Sequence, residues 1–202
     1  MTTPRDLLIV SMDLESSRPV EQGDLSLALA GAEVIDLLAA QAIRLDGDHI
    51  VPGDQPTLVD HLLDEAAASL VREVPYESVA DWLWRRGRGL SAAYQAALEQ
   101  EGQLIRQRRR GISFRAGQLV LVDSPSRRRS ADRWASDEPV LATLAEAVGV
   151  RGKRTEDTPD LADDVATVLA TVNDALVELA AVRQRRAIED AAFDNIWRGG
   201  AG

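Results

Sequence analysis

The pattern of apolar and polar positions predicts a mainly helical chain. The most apolar stretch covers 24–42 (DLSLALAGAEVIDLLAAQA), which only five polar residues interrupt. A helix that is apolar nearly all round is surrounded by other elements instead of lying on a surface. We therefore predict a buried central helix over about 24–42, where Gly31 and the alanines permit close packing of neighbouring helices.

Other helices are predicted on both sides of this one. A short N-terminal helix begins at Pro4 after a threonine cap, with Leu7, Leu8 and Val10 buried. Apolar residues at helical spacing indicate five further helices. One begins at Thr57, one follows Pro75, one covers 91–108, one begins at Pro139 and one covers 161–197.

One or two small β-hairpins complete the predicted fold. Residues 43–51 (IRLDGDHIV) flank Asp46-Gly47, a strong hairpin turn. Residues 110–123 (RGISFRAGQLVLVD) alternate around a second turn, and 124–138 are predicted to be a polar loop or ribbon tip. The chain is thus predicted to be one mainly α domain over 1–198, with a disordered tail at 199–202.

Few groups suited to catalysis or metal binding are present. The chain has no cysteine, and its two histidines, His49 and His61, are far apart. We therefore expect no disulfide, metal site or cofactor. Glu33 and Asp36 are either a functional carboxylate pair or, as we favour, a solvent-facing or arginine-paired stripe. No nucleophile with a base is evident, so we predict a binding protein and not an enzyme.

The location predicted from the sequence is cytoplasmic. The N-terminal apolar run contains just LLIV, and no later run reaches the roughly 18 apolar residues of a membrane span. Any contact with a membrane is therefore expected to be peripheral.

The net charge of −10 is unevenly distributed. From Arg85 to Arg133 there are twelve arginines and four acidic residues, a local charge of +8, which leaves −18 for the rest. Charges act over about 8–10 Å in physiological salt, so this segment favours an anionic partner. No nucleic-acid partner is predicted, because the acidic body repels a duplex and no basic recognition helix is evident.

Three arginine groups are the candidate binding residues. Guanidinium groups suit phosphate oxygens, and tryptophan suits a membrane interface. Two alternatives stay open: the arginines pair with the acidic body, or they bind an acidic peptide or protein as part of a soluble adaptor. The candidates are Arg85 and Arg86, then Arg106 and Arg109, then Arg127, Arg128, Arg129, Arg133 and Trp134, the last group placed at the tip of the second hairpin.

The order of segments resembles the Golgi phosphoprotein 3-like family over roughly residues 4–197. The similar parts are PRDLLIVSMDLESSRP, ALAGAEVIDLLAAQAIRL and the hairpin GISFRAGQLVLVD followed by a helix. The resemblance implies a helical domain whose hairpin serves membrane contact and homo-oligomerisation. It also implies a peripheral membrane protein that binds phosphatidylinositol 4-phosphate and the cytosolic tails of membrane proteins. The usage of alanine, arginine and aspartate is typical of an actinobacterial protein.

In this family, a phosphoinositide pocket uses a tryptophan before the buried helix, an arginine within it and two arginines on a later helix. Those positions fall here at 21–23, Ala30 and 97–100, and none carries the matching residue. The resemblance therefore implies attachment to anionic or phosphoinositide-like headgroups through the arginine-rich hairpin instead of the pocket.

Overall fold

In a computed structural model of the chain, helices make up most of the described residues. Side chains of the last helix are described up to Ala191. The described residues are 2–13, 20–54, 58–107, 118–150 and 161–199. Their elements are α1 (Thr3–Asp13), α2 (Gln22–Ala39), β1 (Ile43–Asp46), β2 (His49–Pro52), α3 (His61–Ala68), α4 (Val79–Arg86), α5 (Leu90–Gln100), β3 (Leu104–Gln107), β4 (Gln118–Leu121), α6 (Pro125–Ala135), α7 (Pro139–Ala147) and α8 (Asp163–Gly199).

Helix α2 lies at the centre and contacts α1, α4, α5 and α8. Every side chain from Leu25 to Ile35 is buried. A Cβ atom at Gly31 would lie 2.3 Å from Cγ2 of Val172, so only glycine allows α8 to approach this closely. The predicted mainly α fold around a buried helix is confirmed. The helix ends before residue 42 because Gln41 adopts a left-handed backbone, with φ of 57°.

Capping residues set where several helices begin. The carboxylate of Asp60 accepts the backbone N–H groups of Leu62 and Leu63 at 3.0 and 3.4 Å. Asp60 thus satisfies the first free N–H groups of the helix. Helix α3 begins directly after this cap, at His61, and not at Thr57 as predicted.

The predicted hairpin around Asp46-Gly47 is confirmed. Strands β1 and β2 are antiparallel and pair Leu45 with Ile50. Gly47 occupies the turn with φ of 63°, a conformation that glycine adopts without strain. The hairpin also joins the start of α4, since the backbone N–H of Val79 donates to the carbonyl of Asp48 at 2.8 Å.

The second hairpin begins earlier than predicted. We expected residues 91–108 to continue as one helix, but α5 ends at Gln100 and β3 follows at Leu104. The helix stops because Gly102 takes φ of 69° and the N–H of Gln103 donates to the carbonyl of Leu98 at 2.8 Å. Strands β3 and β4 pair antiparallel. The predicted turn at Ala116-Gly117 lies outside the described residues.

The prediction of a loop or ribbon tip over 124–138 was wrong. Helix α6 occupies most of this segment. Ser124 caps it by accepting the N–H of Arg127 at 3.1 Å, and Pro125 suits the first helical position. The arginines of this segment therefore lie on a helix that follows the hairpin, and not at the hairpin tip.

The long C-terminal helix is confirmed as α8. Its N-terminal half packs against α2 and α4. Within the described part of the chain, its stretch Asp163–Ala191 is the one helix long and apolar enough to cross a membrane by length and composition. That stretch carries Asp174 and Glu178, and 28% of its most apolar part is buried in the fold. Residues 200–202 of the predicted tail lie outside the described residues, while Gly199 belongs to α8.

Candidate functional site

Arg86 belongs to a buried ion network with Glu33 and Tyr94. Its Nε and Nη2 atoms each donate to one carboxylate oxygen of Glu33 at 2.9 Å, and the hydroxyl of Tyr94 donates to the same carboxylate at 3.0 Å. The Glu33 side chain is fully buried. The guanidinium also donates to the carbonyl of Leu62 at 3.0 Å. Arg86 thus holds α4 on the central helix and has little left to offer a ligand.

Burial dominates the acid–base properties of this centre. It raises the pKa of the Glu33 carboxyl, and the guanidinium of Arg86 and the hydroxyl of Tyr94 oppose that shift. Burial likewise raises the pKa of Tyr94, so this phenol stays protonated and remains a hydrogen-bond donor. Of the two possibilities predicted for Glu33, the arginine-paired one holds and the solvent-facing one does not, because the residue is fully buried.

Asp36 has a different partner. Its carboxylate accepts the backbone N–H of Thr3 at 2.7 Å at the start of α1. Burial raises its pKa, while the Thr3 hydrogen bond and the charge of Arg133 lower it. Asp36 therefore joins α1 to α2, with the backbone of Thr3 as its hydrogen-bond partner instead of an arginine.

Arg133 fastens α6 to the N-terminal helix. It donates to Asp6 at 2.7 Å and to Glu138 at 3.0 Å. Ser130 donates to the other oxygen of Asp6 at 2.6 Å, and the Asp6 side chain is 4% exposed. Trp134 is half-buried and packs against the core. Arg133 and Trp134 therefore both hold α6 against the body of the protein.

Arg85 lies at the surface but is held by three groups. Its guanidinium donates to Glu77 at 2.6 Å and to the carbonyl of Ser69 at 3.3 Å. It also lies 5.0 Å from the ring centre of Trp82, within the range of a cation–π contact. These contacts fix the end of α4 to the loop before it.

The remaining arginines of the predicted site that the structure describes lie on β3 and α6. Arg106 pairs with Glu99 at 3.3 Å and is 54% exposed, and Arg128 pairs with Asp123 at 2.9 Å and is 61% exposed. Arg127 pairs with Asp13. Arg129 is exposed and has no ion pair among the described residues. Arg109 lies outside the described residues.

The predicted site residues do not form one cluster. Helix α4, with Arg85 and Arg86, packs on α2 and α8, whereas α6 packs on α1 and α7. Glu33, Asp13 and Asp6 lie 53 or more residues from their arginines, so the sequence pattern gave no sign of these pairs. In contrast, Glu77, Glu99 and Asp123 lie within eight residues of theirs. We call Arg106, Arg128 and Arg129 the exposed arginine group, because each is exposed and has either a solvent-exposed ion pair or none among the described residues.

A family model for Golgi phosphoprotein 3 (GPP34) matches residues 4–191, nearly the whole chain. The chain belongs to the Golgi phosphoprotein 3 family. None of the curated proteins matches it.

The sequence comparison placed the pocket positions of the family at 21–23, at Ala30 and at 97–100 in this chain. Ala30 is fully buried, and its carbonyl accepts the indole N–H of Trp82 at 3.2 Å. On α5, Leu98 is fully buried and Glu99 pairs with Arg106. No arginine of the described residues is thus available at these positions to hold a headgroup.

Proposed function

We propose that this Golgi phosphoprotein 3 family member is a peripheral membrane-associated binding protein, located in the cytoplasm, and not an enzyme. It recognises anionic lipid headgroups through the exposed arginine group. Family membership supports the membrane role, and the accessibility of these guanidinium groups supports the site. The buried ion network and Arg133 are left out of the site, because their guanidinium groups are occupied within the fold.

The strongest support is the exposed edge of the second hairpin. Leu104 is buried, but the next three residues of β3 are all exposed. Successive strand residues point to opposite faces, so β3 presents exposed side chains on both of its faces beyond Leu104, while Leu119 of β4 packs against the core. Ile105 is 47% exposed there, next to Arg106. Ile105 and Arg106 point to opposite faces of this strand, so its end presents an apolar side chain on one face and a guanidinium group on the other.

The ion pairs that these arginines already make are weak enough for lipid headgroups to replace the acidic side chains. Arg128 and Asp123 are 61% and 72% exposed, and a surface pair of this kind contributes about 0–1 kcal/mol. A basic residue near an anionic leaflet contributes about 1 kcal/mol, so three arginines give reversible attachment. Arg109, another predicted site residue, lies between β3 and β4 in the sequence and outside the described residues.

Vesicle co-sedimentation tests this proposal. Phosphatidylcholine vesicles are compared with vesicles that also contain phosphatidylserine, at low and high salt. We expect recovery of the chain with the anionic vesicles at low salt and release at high salt. Equal recovery with both vesicle types contradicts lipid binding through charge. Binding to an acidic peptide without binding to either vesicle would support the soluble adaptor instead.

A second vesicle experiment measures the headgroup preference. Vesicles with phosphatidylinositol 4-phosphate are matched in total charge to those with phosphatidylserine. Because Ala30 stands where the family places a pocket arginine, we expect equal binding to both. Preferential binding of the phosphoinositide would show that a specific pocket exists.

A further inference from the structure

Near its start, α6 carries three successive arginines, and acidic residues from outside the helix hold two of them. Asp13, at the end of α1, pairs with Arg127. Nη1 of Arg128 donates to both carboxylate oxygens of Asp123 at 2.9 Å, just before the capping residue of α6. Arg129 has no ion pair among the described residues. Within one helical turn, the arginines therefore differ in whether an acidic side chain already occupies them.

These two acidic residues lower the positive charge at the start of α6. The three arginines alone carry +3, and Asp13 and Asp123 reduce this local charge to +1. A basic residue near an anionic leaflet strengthens membrane binding about five-fold. An acidic residue at the same place is repelled by the headgroups. Asp123 therefore opposes membrane binding twice, because it occupies a guanidinium group and also carries a negative charge of its own.

The Asp123 carboxylate can be displaced from Arg128 by a stronger concentration of similar groups. The two side chains are 72% and 61% exposed, and a solvated pair of this kind is weak. Lipid phosphate and carboxylate oxygens accept the same hydrogen bonds from a guanidinium group as an aspartate does. Lipid and Asp123 thus compete for one guanidinium group. Asp13 competes in the same way for Arg127, in a less solvated pair because Asp13 is 29% exposed.

We propose that Asp123 and Asp13 determine which membranes the chain binds, by competing with lipid headgroups for Arg128 and Arg127. On a membrane with few anionic lipids, the carboxylates keep their arginines. On a membrane rich in anionic lipids, headgroups displace them and gain further guanidinium contacts. This role rests on the lipid site proposed above, because the competition has no effect unless headgroups reach these arginines.

Co-sedimentation with vesicles of rising phosphatidylserine content measures this threshold. Asp123→Asn should lower the content needed for half-maximal binding and strengthen binding at a fixed content about five-fold. Asp132→Asn is the matched control, because Asp132 lies one turn after Arg128 on the same face of α6, is exposed and has no ion pair among the described residues. It removes the same charge without releasing an arginine, so binding should rise less than about two-fold.

The gain should depend on Arg128. In a chain that also carries Arg128→Gln, Asp123→Asn should strengthen binding no more than the control does, because no guanidinium group is released. Circular dichroism confirms that each variant is folded. A gain that persists without Arg128 overturns the competition and leaves the lipid site standing, and so do equal gains from Asp123→Asn and Asp132→Asn. If neither the wild type nor Asp123→Asn binds vesicles at any phosphatidylserine content, the lipid site itself fails and the competition fails with it.

Discussion

Arg86 and Arg128 are both members of arginine pairs in the sequence, yet their surroundings make them different groups. Arg86 is 16% exposed and faces a fully buried carboxylate, whereas Arg128 is 61% exposed and faces an exposed one. In the first case, losing one partner leaves an uncompensated buried charge; in the second, water replaces the partner. The comparison teaches that burial of the acidic partner separates arginines that hold the fold from arginines that can meet a ligand.

The largest effect is expected at the buried ion network. Arg86→Ala should lower the free energy of unfolding by about 3–5 kcal/mol, because Glu33 is left buried without its partner. Urea unfolding measures the loss. Arg88→Ala is the control, since Arg88 is exposed and has no ion pair among the described residues; a change within about 0.5 kcal/mol is expected. Similar losses in the two variants would contradict the distinction.

A smaller loss in the free energy of unfolding is expected at the contact between α6 and α1. Arg133→Ala should cost about 2 kcal/mol, because Asp6 is nearly buried but the guanidinium is partly solvated. Arg129→Ala lies on the same helix and should change stability by less than about 0.5 kcal/mol. Thermal unfolding of both variants gives the comparison. Equal stability of the two would mean that Arg133 does not fasten α6.

A pH dependence should come from Asp36. Burial raises its pKa above the ordinary value of 3.8, so the fold favours the protonated form. Stability from this group is therefore fully present below pH 3.8 and is lost as the pH rises through the raised pKa. Asp36→Asn has no such loss, so its stability relative to the wild type should increase over that range. Urea unfolding from pH 4 to 8 checks this; a constant difference argues against a raised pKa.

The smallest effect is expected for the exposed pair. Removing Arg128 should change the free energy of unfolding by no more than about 0.5 kcal/mol, because solvent screens this pair. A double-mutant cycle with Asp123→Ala measures the coupling. A coupling above about 1 kcal/mol would place Arg128 with the structural arginines.

The sequence predicted the elements that depend on local pattern. The buried central helix, the first hairpin and the last helix follow from apolar spacing and a glycine turn. Helix α6 was missed because four of its eleven residues are arginine, which leaves no apolar stripe to read. Its Ser124-Pro125 start was the available indication, since these two residues favour a helix N-terminus.

The distant partners of Arg86 and Arg133 were beyond prediction from local pattern, whereas Glu77, Glu99 and Asp123 lie within eight residues of the arginines they pair with. Arg133 and Asp6 are brought together by the packing of α6 on α1, and Arg86 and Glu33 by the packing of α4 on α2. Such pairs depend on tertiary structure. Arginine clusters alone therefore could not show which guanidinium groups remain accessible.

Vesicle binding by two variants of equal charge tests the central claim most directly. Arg128→Glu/Arg129→Glu changes the exposed arginine group, while Arg44→Glu/Arg72→Glu changes exposed arginines elsewhere that have no ion pair among the described residues. We expect the first variant to lose binding to vesicles that contain phosphatidylserine and the second to keep it. Equal loss in both would mean that net charge alone governs binding, and equal binding would show that these arginines do not contact the membrane.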